Sequence, residues 1–328
     1  MMRSLYSGIS GLRNHQTRMD VIGNNIANVN TVGFKSSRVI FQDIFSQTVA
    51  GGSRNTAVDE DIPGARGGTN PMQIGLGIRL SSIDTIHTSA PIQRTDNPFD
   101  MMINGDGFFI VGRMDETDTW SFNFTRAGNF ELDNEGFLRT SNGDFVIGFR
   151  DARNFDEMYF GDADDINEDL GDLTELLGAA DGGSMFIDGE RTFTKIRLRQ
   201  VAPADSDLDE LPLLHFSVNN QGAVMALNAA GQPVELAFLA IANFSNPGGL
   251  EAAGNGLWRQ TLSSGLAMVG FAQENGTGEI LGGGLEMSNV DLANEFTDMI
   301  VTQRGFQANS RIITVSDTFL EELVNLKR

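Results

Sequence analysis

Apolar residues recur in sevens from Leu5: Leu5, Leu12, Met19 and Ile26. The alternate seam positions are Ile9, Gln16 and Gly23, with Ile22 one step away. This spacing predicts an N-terminal helix of about 26 residues with a narrow apolar stripe. It runs into "NNIANVNTVGFK" (24 to 35), where Asn24, Asn25, Asn28 and Asn30 lead to Thr31, Gly33, Phe34 and Lys35. Asn bonds its own backbone in competition with the helix, and Gly loses most backbone entropy, so the stretch reads as a stop. The other end repeats the heptad: Leu292, Met299, Phe306, Ile313 and Leu320. Phe296, Gln303, Ser310, Asp317 and Val324 take the 4–3 positions between them. Ser288 or Asn289 is the expected N-cap, with Asp291 in the first turn, where the dipole favours an acid. Residues 292 to 325 would make a helix of roughly 50 Å.

Between the helices the period changes to two. "IRLSSIDTIHT" and "MMINGDGFFIVG" read as strands, with a hairpin turn expected at Asn104-Gly105. Further turns are expected at Asn134 with Gly136, at Asn142-Gly143, and at Asn220 with Gly222. Successive short hairpins predict an antiparallel meander or barrel. "VAGGSRNTAVDEDIPGARGGTN" (49 to 70) has no apolar period and reads as loop. The fold class is therefore α+β: long heptad helices at both ends, packed together, around mainly antiparallel β domains. The expected parts are a terminal helical domain (1–34 with 289–328), a linker (35–70), a β-rich core (71–150 with 234–288) and an inserted outer β-domain (151–233).

Composition sharpens this picture. The 328 residues carry 38 glycines, where average usage near ~7% would give roughly 23, and so favour many tight turns. Net charge is −21, which argues against a nucleic-acid partner, since phosphate binding needs clustered Lys and Arg. There is no cysteine, so disulfides, thiolate metal sites and cysteine nucleophiles are excluded. No secretory signal is visible, and no apolar run is long enough to span a membrane. On these signs alone the chain reads as soluble and cytoplasmic. Residues 151 to 190 hold thirteen acids and one Arg, a solvated face on the ordinary reading.

Catalytic chemistry is missing from the pattern. His15, His87 and His215 are scattered without ligand spacing. "DADDINED" (162 to 169) lacks the EF-hand glycine and puts Ile166 at a ligand position. "GDGFF" is followed by no helical pattern, so a hairpin is the better reading than a nucleotide loop. Acid pairs are common in a chain with 44 acids and identify no glycosidase. The expectation is no enzyme, no cofactor and no metal. An acidic β-rich enzyme or surface adhesin stays open as the rival reading.

The terminal stripes are thin, and several seam positions are polar. Two helices docked on their own domain would satisfy the pattern. The alternative is that copies of the same chain complete them. The amides Asn14, Gln16, Asn24, Asn25 and Asn28, with Gln303, Gln307 and Asn309, could then exchange partners between neighbouring helices without stranding a charge.

Several long stretches, in order, carry a resemblance. "SGISGLRNHQTRMDVIGNNIANVNTVGFKSSRVIFQDIF" resembles the N-terminal signature of the bacterial flagellar rod and hook proteins, and "LEMSNVDLANEFTDMIVTQRGFQANSRIITVSDTFLEELVNLKR" their C-terminal signature. "TDNPFDMMINGDGFFIV", "TRAGNFELDNEGFLRTSNGDFVIGF" and "ANFSNPGGLEAAGNGLWRQTLSSG" are similar to the family's central segments. Within the family, "SLYSGISGLRNHQTRMDVIGNNIAN" and "GGTNPMQIGLGIRLSSIDTIHT" look more like the hook branch than the distal-rod branch.

The resemblance implies a helical homopolymer outside the cell, a flexible joint between rod and filament needed for motility. It implies a rod protein at the base, a hook–filament junction protein at the tip and a hook cap during assembly. Export would use the flagellar type III apparatus without a cleaved signal peptide, which replaces the cytoplasmic reading. The residues expected at subunit interfaces are Leu5, Ile9, Leu12, Met19, Ile22, Asn24, Asn25, Ile26, Asn28, Thr31, Gly33 and Phe34. From the other end they are Leu292, Phe296, Met299, Gln303, Phe306, Asn309, Ile313, Leu320 and Val324.

Overall fold

The structure is a computed structural model that describes residues 2–53, 68–114, 120–134, 136–151, 191–196, 214–227, 233–274 and 276–326. Among the described residues it is α+β, with two long helices and strands that pair antiparallel. The chain divides into two compact units. Unit 1 comprises residues 1–27, 37–86 and 290–328, and unit 2 comprises residues 28–36 and 87–289.

Unit 1 holds helix α1 (Met2–Ala27), helix α2 (Leu292–Asn325) and two β ladders. α1 stops where the asparagines begin. α2 starts at Asp291, whose carboxylate accepts from the Ala293 and Asn294 amides at 2.9 and 3.4 Å. The cap is therefore Asp291 itself, not Ser288 or Asn289, because a carboxylate there meets two donors that no helical carbonyl can reach. Strand Ser37–Asp43 pairs with Ile78–Thr85, and strand Ser46–Ala50 pairs with Met72–Gly75. The stretch expected as an irregular linker over 35–70 thus begins with two strands. Residues 54–67 of it lie outside the described part.

Unit 2 is built on one large antiparallel sheet. Its main path runs Leu214–Val218, Ala223–Leu227, Pro233–Leu239, Phe145–Asp151, Phe108–Met114, Trp120–Thr125, Leu257–Arg259 and Glu251–Gly254. Side chains alternate between the faces of a strand. In the central strand, Phe109 and Val111 join a core with Met101, Phe130 and Leu138, while Phe108 and Ile110 join one with Phe124, Phe149 and Phe244. The strand is covered on both sides, which is why "FFIV" reads as a continuous apolar run.

The turns at 133–136, 140–143 and 219–222 fall where the Asn and Gly residues placed them. Asn104-Gly105 does not close a hairpin. Strand Met101–Asn104 pairs with Glu279–Gly282 instead, and the chain turns a corner before Phe108. Part of the stretch expected as an outer insert (151–233) lies in the described residues. Leu214–Val218 and Ala223–Leu227 belong to the main sheet, because Val224 and Ala226 are needed to fill its core. Residues 152–190 and 197–213, with the acidic run and "DADDINED", lie outside the described residues.

Candidate assembly site

The helices of unit 1 run antiparallel. Gly8 lies against Asn309 and Ile313, Gly11 against Asn309, Gly305 against His15, and Arg18 pairs with Asp298 at 2.8 Å. Close approach explains Gly11: a Cβ there would sit 2.6 Å from the Asn309 amide nitrogen. Thr302 and Ser316 are the buried residues of α2. The intramolecular seam of α2 thus alternates small or polar residues (Glu295, Thr302, Asn309, Ser316) with half-buried apolar ones (Met299, Ile313, Leu320).

The heptad residues of α2 are therefore half right as seam positions. Met299, Ile313 and Leu320 face α1, and Phe306 lies at its rim. The positions expected between them are off by one residue. Phe296 is 50% exposed, Val324 is 70% exposed, and Gln303 is exposed, while 295, 302, 309 and 316 point inward. The packing prefers small side chains at these points because glycines on α1 bring the backbones close. Leu292 is exposed at the start of the helix. On α1, Ile22 is buried, Leu5, Leu12, Met19 and Ile26 are half-buried, and Ile9 is exposed.

A second apolar edge runs along α2, which the heptad count missed. Val301, Ile312, Val315, Phe319, Leu323 and Leu326 are all exposed. At 3.6 residues per turn they lie roughly a quarter-turn from the inward seam. The signal was available as a second series at 3–4 spacing, 308-312-315-319-323.

The amides behave differently from expectation. Asn25 is 1% exposed and brackets three elements of unit 1. Its Nδ2 donates to the Ser37 carbonyl and to Glu295 Oε1, both at 2.9 Å, and its Oδ1 accepts from the Ser37 amide at 3.0 Å. Asn14 Nδ2 donates to the Ile78 carbonyl at 2.8 Å. These two groups are committed within the chain. Asn24 lies exposed on α1. Burial raises the Glu295 carboxyl above its ordinary value, against the opposing bond from Asn25.

Asn28, Thr31, Gly33 and Phe34 belong to unit 2, where the chain re-enters. Thr31 Oγ1 donates to Asn28 Oδ1 at 3.1 Å. Gly33 has φ +66°, and a Cβ there would meet the Arg126–Ala127 backbone at 2.7 Å, so only glycine fits.

Unit 2 also holds a buried ion cluster that spacing could not reveal. Lys35 Nζ donates to Glu286 Oε1 and to the Thr88 carbonyl, each at 2.7 Å. Arg126 reaches Glu286 Oε2 at 3.3 Å and the Gly105 carbonyl at 2.8 Å. The Ala90 amide donates to Glu286 Oε1, and the Gly33 amide donates to the Glu286 carbonyl. One carboxylate therefore ties together the three segments that enter and leave the unit. Burial lowers the Lys35 and Arg126 values, and Glu286 opposes the shift. Beside them His87 packs edge-on against Phe108 and Trp258. Burial, then the Lys35 and Arg126 charges, hold it down to about 4. Lys35 and Glu286 are separated by 251 positions in the chain, beyond any local pattern.

Among the described residues no group of His, Asp or Glu could hold a metal ion, and no helix is long and apolar enough to cross a membrane. The features that remain are a helix pair bound through a lean seam, apolar edges turned outward, and a β unit anchored at its neck.

Comparison with known proteins gives that layout a family. Residues 5–35 match the family described as "Flagella basal body rod protein", 102–174 "Flagellar hook protein FlgE/F/G D1 domain", and 281–326 "Flagellar basal body rod FlgEFG protein C-terminal". The chain is 43% identical to the flagellar basal-body rod protein FlgG of Bacillus subtilis over 329 aligned positions, covering 100% of both chains. It is 33% identical to the flagellar hook protein FlgE of Borreliella burgdorferi over 453 positions and 29% identical to that of Treponema pallidum over 476, again covering 100% of both chains. The chain belongs to the flagellar rod and hook protein family.

Proposed function

We propose that the chain is a structural subunit that polymerises through its terminal helices into the flagellar hook, the flexible joint between rod and filament. The observation that carries the polymer is the outward apolar edge of α2, exposed from Val301 to Leu326 in a single copy. Exposed contiguous apolar surface on this scale marks an interaction site. The hook reading draws on the full-length similarity to two hook proteins, both longer in alignment than this chain. The role is structural and not enzymatic. Its partners are other copies, the rod at the base, and the junction protein and cap at the tip. Export proceeds through the flagellar apparatus to the cell exterior.

A second reading, the distal rod, is favoured by the 43% identity to a basal-body rod protein. Electron microscopy of tubes grown from purified chain separates the two. Tubes that curve and bend support the hook, and straight, stiff tubes support the rod. Purified chain that forms no tube under any assembling condition overturns both.

A further inference from the structure

Two glycines and two polar side chains lock the helix pair of unit 1. Gly11 and His15 are four residues apart on α1, as Gly305 and Asn309 are on α2, so each pair shares one face, about a turn apart. The pairs engage reciprocally. Asn309 sits over Gly11, and His15 sits over Gly305, where a Cβ would come within 2.7 Å of the ring Cε1 and 2.8 Å of Nε2. These notches fix the register of the antiparallel helices. A slip of one turn sets His15 against Val301 or Asn309, whose side chains leave no room for a ring.

The notch suits a neutral imidazole. The ring also meets Phe41 edge-on, with centroids 6.1 Å apart. Its Nδ1 is buried and has no hydrogen-bond partner among the described residues. A neutral imidazole donates from one nitrogen, whereas the protonated ring donates from both. A proton here therefore buries an N–H without an acceptor, on a charged ring.

The elements around it bring charges of both signs. α1 carries Arg18, α2 carries Asp298 and Arg304, strand Ser37–Asp43 carries Arg38 and Asp43, and strand Ile78–Thr85 carries Arg79 and Asp84. Arg18 donates to Asp298 at 2.8 Å, so that acid is already taken up. Burial, and after it the Arg18 charge, hold His15 below its ordinary 6.5. As pH falls the unfolded chain takes up the proton first, so the seam has its full strength above 6.5 and weakens below it.

We propose that the His15–Gly305 contact is an acid-operated catch. A neutral ring holds the helix pair of unit 1 in register, and a proton on the ring releases it. The released α2 no longer presents its outer apolar edge on a fixed support, so assembly weakens with the seam. This last step rests on the polymer reading; the catch itself does not.

The test uses the full chain at about pH 7.5 and about pH 5.5, which straddle the ordinary histidine value. In dilute monomer the helical circular dichroism reports unit 1, which holds both long helices. Its melting midpoint should fall by about 4 °C between the two conditions. His15→Gln, neutral at both, should remove that fall. The His15 ring signal in nuclear magnetic resonance should titrate below 6.5, and Gly305→Ala, which fills the notch, should return it to the ordinary value. The critical concentration for tubes should rise about tenfold in acid for the unsubstituted chain and stay level for His15→Gln. A ring that titrates at or above 6.5, or a midpoint that falls equally in His15→Gln, overturns the catch. A monomer that responds while its tubes do not overturns the link to assembly. If the unsubstituted chain forms no tube in either condition, the polymer reading falls and the monomer measurements alone decide the catch.

Discussion

Among the described residues, almost every buried hydrophobic side chain lies in unit 2, and Ile22 alone lies in unit 1. The exposed large hydrophobics are distributed the other way, from Tyr6 and Phe45 to Phe319 and Leu326 in unit 1. Unit 2 has sheet, two-sided aromatic core and neck ion cluster. Unit 1 has length, a lean polar seam and outward apolar edges. A β core stabilises itself by removing surface from water. A helix pair joined through Thr302, Asn309 and Ser316 removes little, so the larger part of its apolar surface stays exposed in a single copy.

The contrast can be broken at Glu286. Glu286→Gln leaves Lys35 and Arg126 buried beside a neutral amide and should cost unit 2 about 3–5 kcal/mol, read by urea unfolding. A surviving midpoint would show the cluster to be idle. A paired experiment sharpens the same point. Phe109→Ala opens the central core and should cost about 3–5 kcal/mol. Phe319→Asp on the outer edge of α2 should change monomer stability by no more than about 0.5 kcal/mol yet abolish polymerisation in a sedimentation assay. Equal monomer losses from both would erase the distinction between the units.

Smaller effects test the joints. Asn25→Ala strands the Ser37 amide and should cost unit 1 about 1–3 kcal/mol, seen as earlier loss of helical signal on heating. His87 supplies a pH dependence confined to unit 2. Its folded value of about 4 lies below the ordinary 6.5, so the unfolded chain takes up the proton first as pH falls. Unit 2 should keep its full stability above pH 6.5, lose it progressively down to about 4, and level off. His87→Phe should flatten that part of the melting-temperature profile. Least of all, Asp291→Ala removes the α2 cap and should cost about 1 kcal/mol, measurable by thermal unfolding of unit 1.

Much of this was legible in the chain. α1 and α2 followed from heptads, and the turns at 136, 143 and 222 from Asn and Gly in short loops. The d-type positions Met299, Ile313 and Leu320 found the seam, since period alone places one row of a helix. The partner row was misplaced by one residue because it is polar: Glu295, Thr302, Asn309 and Ser316 carry no apolar signal. Asn104-Gly105 has the composition of a hairpin turn, but pairing of Met101–Asn104 with Glu279–Gly282 is a long-range choice that no dipeptide encodes. The same holds for Lys35, Arg126 and Glu286. Each is an ordinary charged residue in sequence, and becomes a site only when three distant segments meet.

The central claim is that the apolar edges of unit 1 are covered by other copies and not by the chain itself. Hydrogen exchange of the α2 amides, compared between dilute monomer and assembled tubes, tests it most directly. Amides from Val301 to Leu326 should exchange quickly in the monomer and be protected by orders of magnitude in the tube, while those of Phe108–Met114 stay slow in both. Equal protection of α2 in monomer and tube would contradict the account.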